Sequence, residues 1–120
     1  MSNIEDFLVE ITLPAFLSGL IFIAVALITY RFPPKKINDL YGYRTASSMK
    51  SQERWDFAQR YSSGQMIKGG LVLIGAAIAG YFIPISYEIK IPVGIGLIIL
   101  VAVYLIVTTE RAIKKKFPES

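Results

Sequence analysis

The residues best equipped for specific chemistry fall in one stretch: Asn38, Tyr41, Gly42, Tyr43, Arg44, Thr45 and Ser48, followed by Trp55 and Gln59. Amides, phenols, hydroxyls, an indole and a guanidinium are recognition groups. They donate and accept hydrogen bonds, and arginine can hold a carboxylate or phosphate through two parallel bonds. Gly42, between two tyrosines, points to a tight turn or a close backbone approach. Arg44 has two readings: it binds an anionic ligand, or it clamps the loop onto Asp39, Asp56 or helix-end carbonyls. Tyr41, Tyr43 and Trp55 suit anchoring at a membrane interface as well as ligand contact. Asn38 suits a turn or cap. The chain has no histidine and no cysteine, so the usual metal ligands and the usual general base are missing. No cofactor and no metal site are expected. An enzyme would have to use Glu53, Asp56, Arg44, Arg60, Lys68 and Tyr43, and no catalytic spacing joins them. A binding protein is expected, not an enzyme.

These residues lie between long apolar runs. Of 120 residues, 53% are hydrophobic, and the 18% that are charged sit in blocks between those runs. Lipid accepts apolar side chains and expels charge, so this segregation predicts an all-α integral membrane protein forming a single membrane domain. Three transmembrane spans are predicted, over about 13–30, 69–85 and 91–109, with the motif loop over 31–65. The first covers roughly 27 Å, near the hydrocarbon thickness of a bilayer. Arg31 and then Pro33 and Pro34 close it. Upstream, Ile4, Phe7, Leu8 and Ile11 recur at helical spacing. They read either as a short amphipathic turn in the interface, with Asn3 as cap, or as part of one longer helix, with Pro14 at the bend or at the helix start.

Within the loop, Ser47, Ser48 or Ser51 caps a helix that starts near Met49 or Gln52. Trp55, Ala58 and Ser62 share one side of it, Phe57 and Tyr61 form an aromatic pair, and Asp56 and Arg60 are spaced to pair. An amphipathic helix along the cytoplasmic interface is expected, with Trp55 at headgroup depth and a bend at Ser62-Ser63-Gly64. A helix running straight through Gly64 is the alternative.

Lysine and arginine set the orientation. Residues 1–12 contain none, and the loop contains Arg31, Lys35, Lys36, Arg44, Lys50, Arg54 and Arg60. The short connection near Pro84 has only Lys90, whereas the tail has Arg111, Lys114, Lys115 and Lys116. The positive-inside rule then places the amino terminus outside and the loop and tail in the cytoplasm. The net charge of +4 is read as topology and attraction to anionic lipids, with no direct nucleic-acid partner.

The second span is rich in small residues. Gly75 with Ala79, and Ala76 with Gly80, make pairs that let helices approach closely, either within the hairpin against Gly94 and Gly96 or between copies in a homo-oligomer. No span holds a charged residue, which argues against a transporter.

The run Asn38-Asp39-Leu40-Tyr41-Gly42-Tyr43-Arg44-Thr45, then Ser48, Trp55 and Ala58 ahead of a glycine-rich span, resembles the signature of the SdpI family. These are bacterial membrane immunity proteins against a sporulation-delaying peptide toxin. The resemblance covers roughly residues 30 to 110. The founding member is larger, and this chain resembles its carboxy-terminal half. Gln59 stands where the family often has Asn, and Ser63 where it often has Gly. The resemblance implies protection from a membrane-active peptide toxin and, with toxin bound, capture of a cytoplasmic repressor in signal transduction. A small accessory membrane subunit without toxin binding is the alternative.

Overall fold

The computed structural model describes residues 14–118. Three α-helices, and no strand among the described residues, make up the fold: α1 (Pro14–Arg31), α2 (Gln52–Tyr81) and α3 (Tyr87–Lys116). All three are long and apolar enough to cross a membrane. The reading of Ile4, Phe7, Leu8 and Ile11 lies outside the described residues.

α1 is described from Pro14 onward. The predicted bend at Ser62-Ser63-Gly64 is absent: α2 runs unbroken from the loop into the apolar segment. The separate interfacial helix is therefore replaced by one helix of 30 residues, roughly 45 Å at the α-helical rise. That exceeds the hydrocarbon thickness by about 15 Å, so one end of α2 projects beyond the apolar layer. The two serines do not break the helix because both are buried and bonded. Ser62 Oγ donates to Gln59 O at 3.3 Å, and Ser63 Oγ shares a 2.7 Å hydrogen bond with Thr29 Oγ1 of α1. Ser51 is the N-cap, its Oγ accepting from Arg54 N–H at 3.2 Å.

A five-residue connection, 82–86, separates α2 from α3. α3 likewise outruns its expected limits at both ends, and past its carboxy-terminal limit Ile113 is completely buried.

Close packing centres on two consecutive glycines. A Cβ on Gly70 would lie 2.6 Å from Ile23 Cγ1 and 2.8 Å from Gly19 O, so α1 and α2 cross almost backbone to backbone. One on Gly69 would lie 2.7 Å from Val101 Cγ1 of α3. Neighbouring positions on a helix face about 100° apart, so this pair seats α2 against both partners at once. Ala15, Leu73 and Ala77 form the small core beside it, with Phe16, Phe22 and Leu97 packed around them. The other small residues sit differently. Added Cβ atoms at Gly75, Gly80 and Gly96 would meet nothing within 4 Å, and Gly94 faces Ala15 of α1. The tight intrachain approach is thus made by Gly69 and Gly70 and not by Gly75 or Gly80.

Candidate functional site

The loop folds from local rules outward. Asn38 Oδ1 accepts from the amides of Leu40 (2.9 Å) and Tyr41 (2.7 Å), and its Nδ2 donates to Lys36 O at 2.9 Å. This is a side-chain-closed turn of the kind asparagine favours. Gly42 follows with φ +108°, a left-handed conformation that glycine tolerates far better than residues with a side chain. Space demands glycine as well, because a Cβ there would stand 2.5 Å from Gln59 Oε1 and 2.7 Å from Pro34 Cγ. Both readings of Gly42, turn and close approach, describe the same residue.

Gln59 of α2 then grips the next residue at two points. Its Oε1 accepts from Tyr43 N–H at 2.7 Å and its Nε2 donates to Tyr43 O at 2.8 Å. The amide thereby satisfies the donor and the acceptor of one backbone unit, as a neighbouring strand would. Thr45 and Ser48 close the following turn reciprocally: Thr45 N–H donates to Ser48 Oγ at 2.9 Å and Ser48 N–H to Thr45 Oγ1 at 3.1 Å.

The far side of the loop meets α3. Tyr43 OH (2.7 Å) and Thr45 Oγ1 (2.9 Å) both donate to one carboxylate oxygen of Glu110. Burial raises the pKa of the Tyr43 phenol well above its ordinary value. The hydrogen bond to Glu110 and that residue's negative charge add to the rise, while Thr45 opposes it. The phenol is therefore a neutral donor at all physiological pH values.

Trp55 is fully buried, and its Nε1 donates to Pro34 O at 2.5 Å. It pins the start of the loop to α2 and packs inside the protein. Arg54 is also buried, and its guanidinium bonds Ser47 O and Phe117 O, each at 3.1 Å. Tyr41 OH donates to Phe32 O at 2.6 Å. Arg44 is exposed and donates through Nη1 to Asp39 O, a clamp onto a backbone carbonyl. Asp56 accepts from Gln52 Nε2 at 2.8 Å and forms no ion pair with Arg60 among the described residues.

Asn38, Tyr41, Gly42, Tyr43, Arg44, Thr45, Ser48, Trp55 and Gln59 are thus brought into one structured unit. Sequence reasoning missed Glu110 and the burial of Arg54. Glu110 carries a readable signal, as the one carboxylate in the stretch from Ile89 to Pro118, set against a run of cations.

Two clefts border the loop. One, of about 390 Å³, lies under Gly42, Tyr43 and Thr45 and is walled by Val25 of α1, Ser62 and Met66 of α2, and Leu105 and Ile106 of α3. The other, of about 560 Å³, lies between α1 and α2, with Lys35, Asp56 and Arg60 at its polar side. Among the described residues no cluster of potential metal ligands occurs. Hydrogen-bond donors facing apolar walls suit reversible recognition of an amphipathic ligand.

Three membrane-length helices and one loop clamped to two of them define a multi-pass helical membrane protein with a single structured polar end. The SdpI/YfhL protein family matches residues 35–109, and the chain belongs to that family. It is 54% identical over 57 residues to the uncharacterized protein YfhL of Bacillus subtilis (strain 168). That match covers 48% of this chain and 51% of YfhL, so the chain aligns with about half the length of this relative. No solved structure matches.

Proposed function

We propose that this chain is a membrane immunity protein of the SdpI type, which protects a bacterial cell from a membrane-active peptide toxin by binding it, without catalysis. It lies in the cell membrane with the amino terminus outside and with the motif loop and tail in the cytoplasm. Occupancy is read out at the loop, where a cytoplasmic repressor is recruited. The single observation that carries this reading is the position of the cleft under Tyr43. It is bounded by all three helices and roofed by the motif loop, so a ligand entering from the apolar side would touch the segment that a cytoplasmic partner would read. Arg44 adds to the reading, because it is exposed, bonds one backbone carbonyl among the described residues, and has a fork that suits a carboxylate on a partner. The outward-facing Gly75 and Ala79 support a homo-oligomer through close helix approach.

The test is a challenge of cells with membrane-active peptide toxins, with and without the gene. Protection by the wild type, lost in Gln59→Leu and in Arg44→Ala at equal membrane abundance, is the expected result. Full protection by both variants would remove the loop from the mechanism. Equal killing with and without the gene, across the toxins, would remove the immunity reading. Reporter fusions at each terminus check the orientation, with cytoplasmic signal expected only at the carboxy end.

A further inference from the structure

A second polar feature lies on the opposite side of α3 from Glu110. Between α2 and α3 runs an open groove of about 640 Å³, lined by Phe57 and Tyr61 on one wall and by Thr108, Arg111, Lys115 and Lys116 on the other. The aromatic wall is ordered by its own contacts. Phe57 stacks on Tyr61 with centroids 5.7 Å apart and meets Phe117 edge-on at 6.0 Å. Lys116 Nζ stands 5.1 Å from the Phe57 ring centre, a cation–π contact that draws this lysine over the groove.

The described residues lining the groove carry positive charge and no carboxylate. Among the described residues Arg111, Lys115 and Lys116 have no ion-pair partner. Glu110, the neighbour of Arg111, is turned away and holds Tyr43 and Thr45. α3 has no other carboxylate from there to Lys116. On α2, exposed Lys68 follows Tyr61 by two turns and exposed Glu53 precedes Phe57 by one, so this face carries a cation towards the apolar layer and a carboxylate at its far end.

The groove also sits at a defined level. Thr108 marks the end of the apolar run of α3, and its hydroxyl is already bonded to Tyr104 O at 2.8 Å. One turn towards the apolar layer, Tyr104 is exposed. A ligand here would have its anionic part among three cations and its remainder against apolar helix surface.

We propose that this groove is a binding site for one anionic phospholipid, with the phosphate held by Arg111, Lys115 and Lys116 and the acyl chains lying along α3 past Tyr104. The site stands independently of the toxin reading, since it uses other residues on another face. Each cation near an anionic headgroup contributes a factor of about five in affinity.

The full chain in phosphatidylcholine nanodiscs, doped with spin-labelled phosphatidylglycerol, provides the measurement. The wild type is expected to show an immobilised lipid fraction. The triple variant Arg111→Gln, Lys115→Gln, Lys116→Gln should lower the phosphatidylglycerol association constant by at least tenfold. The charge-matched triple Lys35→Gln, Lys36→Gln, Lys50→Gln, which lies outside the groove, should lower it less than threefold. An equal loss in both triples would overturn the site in favour of diffuse attraction. Displacement of the immobilised lipid by excess soluble glycerol phosphate would overturn the lipid assignment in favour of a free phosphate ligand.

Discussion

The two ends of this molecule are held together by different physics. In the apolar half, α1, α2 and α3 meet through missing atoms: Gly19, Gly69 and Gly70 remove side chains so that helices can touch. Around the loop, the helices are joined by polar atoms that reach across many residues, from Trp55 to Pro34, from Gln59 to Tyr43 and from Tyr43 to Glu110. Lipid offers no hydrophobic driving force between helices, so packing by shape is what remains there. At the loop, buried polar groups must find partners, and each partner fixes a position. The apolar half is therefore tolerant in chemistry and strict in volume, and the loop end is the reverse.

Substitutions can break this contrast, and the largest effect is expected at the crossing. Gly70→Val should destabilise the detergent-solubilised protein by about 3 kcal/mol, measured as loss of helicity in an SDS titration. Gly75→Val, with open space around it within the chain, should change the stability of the detergent-dissociated monomer by less than about 0.5 kcal/mol. Equal effects would show that volume is not what the apolar half enforces.

Next comes the loop. Gln59→Leu keeps the volume and removes both bonds to Tyr43, and should cost about 2 kcal/mol. Hydrogen exchange at the Tyr43 amide should quicken, while the amides around Leu73 stay protected. A uniform loss of protection would mean that the two ends do not separate.

The carboxylate that joins loop and α3 gives a pH signature. The phenol pKa of Tyr43 is raised in the folded state. Its stabilising contribution is thus complete below the ordinary tyrosine value of about 10 and is lost as pH rises from there through the folded pKa. Ultraviolet titration of the wild type should contain a late phase from Tyr43. Tyr43→Phe should abolish that phase, and Glu110→Gln should move it back towards the ordinary range.

Within the loop, the smallest structural effect is expected at Arg44. Arg44→Ala removes one exposed bond to a carbonyl and should lower stability by less than about 1 kcal/mol. If toxin protection nevertheless falls sharply, Arg44 acts on a partner and not on the loop.

Much of the fold was legible in the sequence for the same reason the apolar half is tolerant. Membrane spans follow from run length and charge segregation alone, and Ser51 falls where a helix start requires it. The course of α2 was harder to read. Ser-Ser-Gly is a local breaker signal, and it was overruled by a hydroxyl on α1, Thr29, whose contact with Ser63 spans 34 residues of sequence. The partner of Trp55 was hidden for a related reason: its indole bonds a carbonyl at Pro34, 21 positions away in sequence. The loop motif was legible as a set of residues, and its geometry was not. Asn38 and Gly42 act within a few positions, whereas Glu110 works through contacts 65 and 67 residues away, which no local spacing announces.

The unbroken course of α2 turns it into a lever. Its fulcrum is Gly70, pressed against Gly19, with an arm of 15 residues to Trp55 and another of 11 to Tyr81, roughly 22 Å and 17 Å at the α-helical rise. A tilt of about 5° around that point shifts the Trp55 end by roughly 2 Å, which is comparable to the helix shifts that switch packed interfaces. A hinge at Ser63 would have absorbed such a tilt. A rigid rod hands it directly to Gln59, and so to the backbone of Tyr43.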